Sequence, residues 1–135
     1  MWYELATVFP IVRTNSKSGI DIEQTNSAIM SDKVLTRTKY QYLLHIYGCL
    51  FEASQTGQTC FDPLFYHFGY PLENIEDTFI VADSIKVSPA LDWDSYSSGK
   101  ITSFFPKGRW VSLSPDNNII NVEEPEGRNV TLNHT

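Results

Sequence analysis

The stretch YQYLLHIYGCLFEASQTG at residues 40–57, followed by TCFDPLFYHF at residues 59–68, decides the predicted fold. Apolar residues in the first part recur at spacings of three, four and seven, which indicates an amphipathic helix. Gly57 supplies the left-handed residue that often follows a helix. The second part is rich in Phe, Tyr and Leu and predicts a strand, which Pro63 confines to a sheet edge or a bulge.

The helix is predicted to begin at Ser31, a suitable N-cap residue, and to end near Thr56. Its apolar side is wide, so we expect burial against a larger body. The residues on this side are Leu35, Tyr42, Leu43, Ile46, Tyr47, Leu50, Phe51 and Ala53. Because part of such a stripe would be exposed in the isolated chain, we predict self-association.

A short apolar run, VFPIV at residues 8–12, precedes the helix and predicts a strand that is buried on both faces. Residues 2–8 predict the end of a preceding helix, and the polar residues 14–26 predict a loop. A single buried strand that leads into a helix is typical of the last βα unit of a larger α/β body.

Further strands are predicted at residues 78–82, 84–91, 101–105, 109–113 and 119–122. Pro106-Lys107-Gly108 predicts a hairpin turn between the strands that flank it. Residues 92–100 predict a polar loop, and residues 123–135 predict a polar tail. The expected class is therefore α+β, with domain boundaries after residues 57 and 122.

The composition excludes several function classes. A length of 135 residues allows one domain, and 41% hydrophobic residues suit a folded core. A net charge of -6 argues against a general nucleic-acid binder, because phosphate binding requires clustered Lys and Arg. No apolar run is long enough to span a membrane, and the first residues lack a signal-peptide pattern.

Two cysteines, Cys49 and Cys60, do not make a disulfide framework. A disulfide between them is geometrically possible, but buried free thiols are the preferred interpretation. Two N-glycosylation acceptor patterns, Asn129-Val130-Thr131 and Asn133-His134-Thr135, point to the secretory pathway, although the sequence does not fix the compartment. His45, His67 and His134 show no metal-ligand spacing, so neither a metal nor a cofactor is expected.

Five segments, in order and with matching spacing, resemble glycoside hydrolase family 31, the α-glucosidase family. Trp2, Leu5, Pro10 and Arg13 match the eighth barrel strand of that family in register. Residues 39–57 are similar to the family's helix after that strand, and residues 62–68 are similar to its R-P-L-F-x-x-F segment. Residues 76–90 are similar to D-x-Q-F-L-x-G-D-S-L-L-V-A-P-V, and residues 105–110 are similar to Y-F-P-x-G-x-W. The resemblance covers roughly residues 2–113.

The resemblance implies that residues 1–57 are the last βα unit of a (β/α)₈ TIM barrel and that residues 58–122 belong to an antiparallel β-sandwich. It also implies a retaining glycosidase acting on terminal α-linked glucose, with one Asp as nucleophile and another as acid/base. Both aspartates of the family lie on barrel strands before the one matched at Val8, so no catalytic residue is assigned here. The chain is interpreted as a C-terminal fragment of an α-glucosidase-like enzyme that is inactive alone.

Arg13 and Asn15 are the candidate substrate-binding residues, because barrel active sites lie at the C-terminal ends of the strands. The family usually has His where Asn15 stands, and Asn still hydrogen-bonds a sugar hydroxyl but carries no charge. The competing interpretation makes Arg13 a structural ion-pair partner and Asn15 a turn residue. Asp62, where the family has Arg, is interpreted as an exposed strand residue. Asp92 and Asp94 are assigned to a solvated loop, not to an acid pair.

Two alternatives stay open for the function. One is a non-catalytic, truncated β-sandwich module for binding or interaction. The other is an inactive subunit that completes a barrel supplied by another chain. The expected partners are a carbohydrate in the full-length parent, a second copy of the chain, or a chain that supplies the rest of the barrel, and neither a nucleic-acid partner nor a membrane span is expected.

Overall fold

The computed structural model describes residues 5–12, 26–69, 71–113 and 117–133, with the backbone alone for residues 26–35. Helices and strands both occur among these residues, and the two-stranded sheets are antiparallel, which confirms the α+β class. The elements in chain order are α1 (Asn26–Thr56), β1 (Phe61–Pro63), α2 (Leu64–Phe68), a 3₁₀ turn (Leu72–Asn74), β2 (Phe79–Val81), β3 (Ile85–Val87), α3 (Trp93–Ser98), β4 (Lys100–Phe105), β5 (Gly108–Val111), β6 (Ile119–Val122) and β7 (Arg128–Asn133). None of these helices combines the length and hydropathy of a membrane-spanning segment.

The strands form three small sheets. One has the order β1–β2–β3, and the others are the pairs β4–β7 and β5–β6. Both two-stranded pairs are antiparallel, with Thr102 opposite Thr131 in the first and Trp110 opposite Ile120 in the second. The β-sandwich and the barrel unit therefore stay predictions, as do the boundaries after residues 57 and 122.

The chain divides into two compact units. The first comprises Met1–Phe61 with Val81–Ile85, and the second comprises Asp62–Ile80 with Lys86–Thr135. In the first unit α1 buries Ile46 and Cys49, and Phe9 stacks on Phe61 with ring centroids 5.4 Å apart. In the second unit the core is formed by three buried residues, Leu64, Leu72 and Ile80, against which Phe65, Ile75, Phe104 and Trp110 pack.

The C-terminal end of α1 confirms the sequence-based expectation. Gly57 follows the helix with a φ of +79°, and its N–H donates to the carbonyl oxygen of Ala53 at 2.8 Å. The start was predicted five residues too late, since the helix begins at Asn26 and not at Ser31. A capping residue therefore marked a position inside the helix, because several residue types that cap helices also occur within them.

The strand predicted at residues 8–12 does not form in this chain. Residues 5–10 instead form a short helical turn, in which the N–H groups of Val8 and Phe9 donate to the carbonyl oxygens of Leu5 and Ala6. Ile11 and Val12 are 88% and 43% exposed. A strand is stable only when neighbouring strands satisfy its backbone groups, and apolar composition alone does not supply them.

The strand predicted at residues 59–68 is also wrong over most of its length. Strand β1 ends at Pro63, and α2 begins at Leu64, the most buried residue of the second-unit core. Pro63 has a φ of -65°, which suits the entry to a helix. Gly69 then ends α2 with a φ of +76° and an N–H bond to the carbonyl oxygen of Phe65.

The predicted hairpin around Pro106 does not form. Strand β4 pairs with β7, and β5 pairs with β6, so the chain turns a corner between two sheets. The indole Nε1–H of Trp110 holds this corner by donating to the carbonyl oxygen of Pro106 at 3.0 Å. The predicted tail at residues 123–135 contains strand β7 and is corrected accordingly, because Val130 and Leu132 alternate with exposed polar residues.

The interpretation of the cysteines as free thiols is wrong. Cys49 on α1 and Cys60 just before β1 form a disulfide with a Cα–Cα distance of 6.0 Å. Both residues are buried in the first unit. The bridge joins α1, about two turns before its C-terminal end, to the residue just before β1, and so encloses the connection between these two elements.

Candidate functional site

The residues proposed to contact substrate, Arg13 and Asn15, lie outside the described residues, and so does His134. Their roles stay predictions. The described residues that come just before Arg13 in the sequence are Ile11 and Val12, and both are exposed. The sequence assigns no catalytic residue, so the polar clusters among the described residues are the remaining candidates for chemistry.

A small polar pocket lies in the second unit. Its volume is about 70 Å³. Its lining residues are Asp77, Ser88, Pro89, Leu91, Asp92, Ser95, Ile101, Thr102 and Ser103. Ligand pockets usually measure roughly 300–1,000 Å³, and a water molecule takes up about 30 Å³ in the liquid. This pocket therefore has room for a few water molecules and is too small for a sugar ring.

The floor of this pocket is a lysine–serine network. The Lys86 ammonium donates to Ser88 Oγ at 2.5 Å and to Ser103 Oγ at 2.8 Å, and the two hydroxyl oxygens lie 2.9 Å apart. The Lys86 Nζ also lies 4.1 Å from the centroid of the Phe105 ring, a cation–π distance. Every group in the network has a partner, which is the condition for burying a polar cluster without large cost.

Burial lowers the pKa of Lys86 from 10.5 to about 8, because the charged amine is removed from water. The negative charge of Asp77 opposes this shift of the pKa and is the weaker of the two effects. An amine with such a pKa beside two hydroxyls has the chemistry of a general base. The volume of the adjoining pocket leaves no room for a sugar substrate, so the network is structural.

The aspartates around Trp93 have a structural role. Asp92 caps α3, since its Oδ1 accepts from the N–H of Ser95 at 2.6 Å and its Oδ2 accepts from the Ser95 hydroxyl at 2.7 Å. These two bonds lower the pKa of the Asp92 carboxyl. The expected loop at residues 92–100 is therefore a capped helix that ends at Gly99, whose φ is +66°. The capping Asp and the terminal Gly were both visible in the sequence and were missed.

Asp62 is buried, which corrects its interpretation as an exposed strand residue. Its Oδ2 lies 3.2 Å from Nε2 of His67, which follows on α2. The pair satisfies a carboxylate that would otherwise be costly to bury. No sequence pattern marked this pair, because β1 and α2 had been read as a single strand.

His45 holds a strained turn in the first unit. Its Nε2–H donates to the carbonyl oxygen of Ala82 at 3.0 Å and lies 2.7 Å from Ser84 Oγ. Ala82 and Asp83 have φ values of 48° and 60°, a conformation that costs a non-glycine residue stability. The N–H of Ala82 donates to the carbonyl oxygen of Cys60 at 2.9 Å, so two hydrogen bonds at Ala82 fix the turn. His45 is therefore a structural residue.

Comparison with known proteins provides the missing functional context. No protein-family model matches the chain. Four curated α-glucosidases match it in sequence. A probable α-glucosidase of Oryza sativa subsp. japonica is 28% identical over 136 residues, which cover 97% of this chain and 15% of that protein. α-Glucosidase 2 of Bacillus thermoamyloliquefaciens is 35% identical over 83 residues, which cover 58% of this chain and 10% of that protein.

The α-glucosidase of Saccharolobus solfataricus is 29% identical over 120 residues, which cover 82% of this chain and 16% of that protein. The chain thus spans about a sixth or less of the length of these curated relatives. Together these matches confirm the resemblance that the five ordered segments predicted.

Proposed function

We propose that this chain is part of an α-glucosidase of glycoside hydrolase family 31, and that it supplies packing and support for a catalytic barrel and contributes no catalytic carboxylate. In this proposal residues 1–57 are the last βα unit of the barrel, and residues 58–122 belong to the adjoining β-sandwich domain. The reaction of the complete enzyme is hydrolysis of a terminal α-linked glucose, with retention, by two aspartates outside these residues.

The exposed side of α1 is the observation that carries this proposal. Tyr40, Leu44, Tyr47 and Phe51 are 67%, 84%, 67% and 60% exposed. Their spacings of four, three and four residues place them along one side of the helix. The buried residues Ile46 and Cys49 lie on the opposite side. A helix that is apolar on both sides is typical of burial inside a larger body, which the barrel provides.

The segment before α1 supports the same role. Residues 8–12 have the composition of a strand buried on both faces, yet Ile11 and Val12 are exposed. In the proposal this segment becomes the eighth barrel strand once partner strands satisfy its backbone groups. Arg13 and Asn15 would then lie at its C-terminal end and bind the sugar at the non-reducing end of the substrate.

Activity of the isolated chain is the first test. Purified protein, incubated with a chromogenic α-glucoside, is expected to release no more chromophore than buffer does, because both catalytic aspartates are absent from the proposed assignment. The Bacillus relative, assayed alongside, serves as the positive control. Turnover that tracks with the purified chain through gel filtration would overturn the assignment.

The roles of Arg13 and Asn15 can be tested in a chimera of the Bacillus relative that carries residues 2–113 of this chain. Asn15→His is expected to lower the KM by up to about tenfold, because it restores one hydrogen bond to a sugar hydroxyl. Arg13→Ala is expected to raise the KM. If neither variant changes the KM while both keep the melting temperature, the two residues are not substrate contacts.

The inactive-subunit alternative also fits the exposed side of α1, because another chain could cover the same four residues. It differs from the first proposal in where the rest of the barrel is encoded. The coding sequence upstream of Met1 distinguishes them: an open frame with the two catalytic Asp motifs favours one long polypeptide, and a stop codon favours assembly from separate chains.

A further inference from the structure

The first N-glycosylation pattern, Asn129-Val130-Thr131, lies wholly on strand β7, and Asn133, the acceptor of the second, is the last residue of that strand. In a strand, residues two apart point to the same face. Asn129, Thr131 and Asn133 are exposed, and Val130 and Leu132 between them are half-buried. The acceptor amide of Asn129 and the hydroxyl at the third position of its pattern are therefore displayed together on the open face of the strand.

The pairing of β7 leaves room for a large group at this place. Asn129 lies opposite Phe104 of β4, and Thr131 lies opposite Thr102, with the two hydroxyl oxygens 2.9 Å apart. Thr102 is itself exposed, so the open face continues onto β4. On the other side of β7 no described strand pairs with it, since its sheet consists of β4 and β7 alone.

The disulfide supplies an independent indication of the compartment. Cys49 and Cys60 are joined and buried. Disulfides form and persist in oxidising compartments such as the lumen of the endoplasmic reticulum. That lumen is also where chains with an Asn-x-Thr pattern meet the glycosylation machinery.

We propose that Asn129 carries an N-linked glycan. The donor is a lipid-linked oligosaccharyl diphosphate. The side-chain Nδ2 of Asn129 forms a bond to the anomeric carbon of the first sugar, and the bond from that carbon to the diphosphate oxygen breaks. The lipid diphosphate leaves and takes up the proton that the amide loses. The inference does not depend on the proposed α-glucosidase role.

The glycan would also protect a sheet edge. The outer side of β7 presents N–H and C=O groups that no described strand satisfies, and such edges promote pairing with other chains. A bulky, hydrated glycan on the open face of the same strand hinders the approach of another strand. The modification therefore has an expected consequence for solubility as well as for mass.

The test is expression of the full chain in eukaryotic cells behind a cleavable secretion leader. The intact mass and the peptide that contains residue 129 are compared before and after treatment with a peptide N-glycosidase. We expect a glycan that the enzyme removes, leaving Asp at position 129. Asn129→Gln and Thr131→Ala should abolish it, whereas Thr131→Ser and Asn133→Gln should retain it. An unmodified chain, or a glycan on Asn133 alone, would overturn the proposal.

A second measurement tests the edge-protection role. Light scattering of the same secreted protein, before and after enzymatic removal of the glycan, should show more self-association after removal. The two samples share one disulfide and differ in the glycan and in the Asp that the enzyme leaves at position 129. Comparing the unglycosylated Asn129→Gln and Asn129→Asp variants measures the effect of that added charge. Equal self-association in the two samples would show that the glycan does not protect the edge of β7. Whether Asn129 carries the glycan is decided by the mass measurement alone.

Discussion

At Gly127 the backbone has a φ of +79° just before β7. A Cβ at this position would lie 2.6 Å from the carbonyl oxygen of Phe105 and 2.5 Å from a ring atom of Phe104. Gly127→Ala is therefore expected to lower the free energy of unfolding by about 2–5 kcal/mol, from backbone strain plus the clash. Urea denaturation measures the loss.

Gly57→Ala is the matched control for this prediction. Gly57 has the same φ of +79°, but a Cβ there would meet nothing within 4 Å. The control should lose only about 1–2 kcal/mol, the cost of the left-handed conformation for alanine. Equal losses in the two variants would show that the contact with β4 does not constrain position 127.

Lys86 makes a prediction about pH. Its pKa in the folded chain, about 8, lies below its ordinary value of 10.5, so the unfolded chain binds more protons between these two pH values. The free energy of unfolding contributed by Lys86 is therefore lowest below pH 8 and rises as pH increases towards 10.5. Lys86→Met should remove this rise.

The measurement compares urea unfolding of the wild-type chain and the Lys86→Met variant at pH about 7 and about 10. Tyrosines and other lysines titrate in both proteins, so the difference between the two isolates Lys86. An identical pH dependence in both proteins would mean that the Lys86 amine is not desolvated in the folded chain.

The elements differ in how far local sequence determines them. The end of α1 was predicted because Gly57 acts on its own helix. The pairing of β4 with β7 was not predicted. Pro106-Lys107-Gly108 has the composition of a hairpin turn, but residues distant in sequence decide which strand pairs with β4. Helix α3 had local signals in Asp92 and Gly99, so it could have been predicted. The apolar residues 8–12 were misread because a strand depends on neighbours.

The link between α1 and β1 gives a prediction at the same scale. Cys49 and Cys60 are 11 residues apart in sequence, and a disulfide over a loop of about that length contributes roughly 3 kcal/mol. Replacing both cysteines with serine should lower the free energy of unfolding by about that amount. Thiol titration of the denatured, unreduced protein should find no free thiol, and two titratable thiols would refute the bridge.

For the whole molecule, the exposed apolar side of α1 predicts self-association of the isolated chain. Leu44→Glu with Tyr47→Glu should reduce the apparent mass in light scattering, because it places charge at the centre of that side. Leu91→Glu, an exposed apolar residue of the second unit, is the control and should leave the association unchanged. A monodisperse wild-type monomer with a cooperative melt would contradict the prediction.

The candidate site was predictable only through the family resemblance. Arg13 and Asn15 follow from the motif at residues 2–15, whose partner strands are not among the described elements. The Lys86 network and the Asp62–His67 pair left no pattern in the sequence, since each joins residues from separate elements. Patterns of residue spacing report which face of an element is apolar, and they do not report which elements meet.

The central claim is that this chain provides packing residues equivalent to those of an α-glucosidase and provides none of its catalytic residues. A chimera of the Bacillus relative that carries residues 36–113 of this chain tests it most directly, because the segment that corresponds to positions before 36, including Arg13 and Asn15, then comes from the relative. We expect hydrolysis of the chromogenic α-glucoside within about tenfold of the parent, and its loss when Leu44→Glu and Tyr47→Glu are added. A chimera that melts cooperatively yet hydrolyses nothing would contradict the claim.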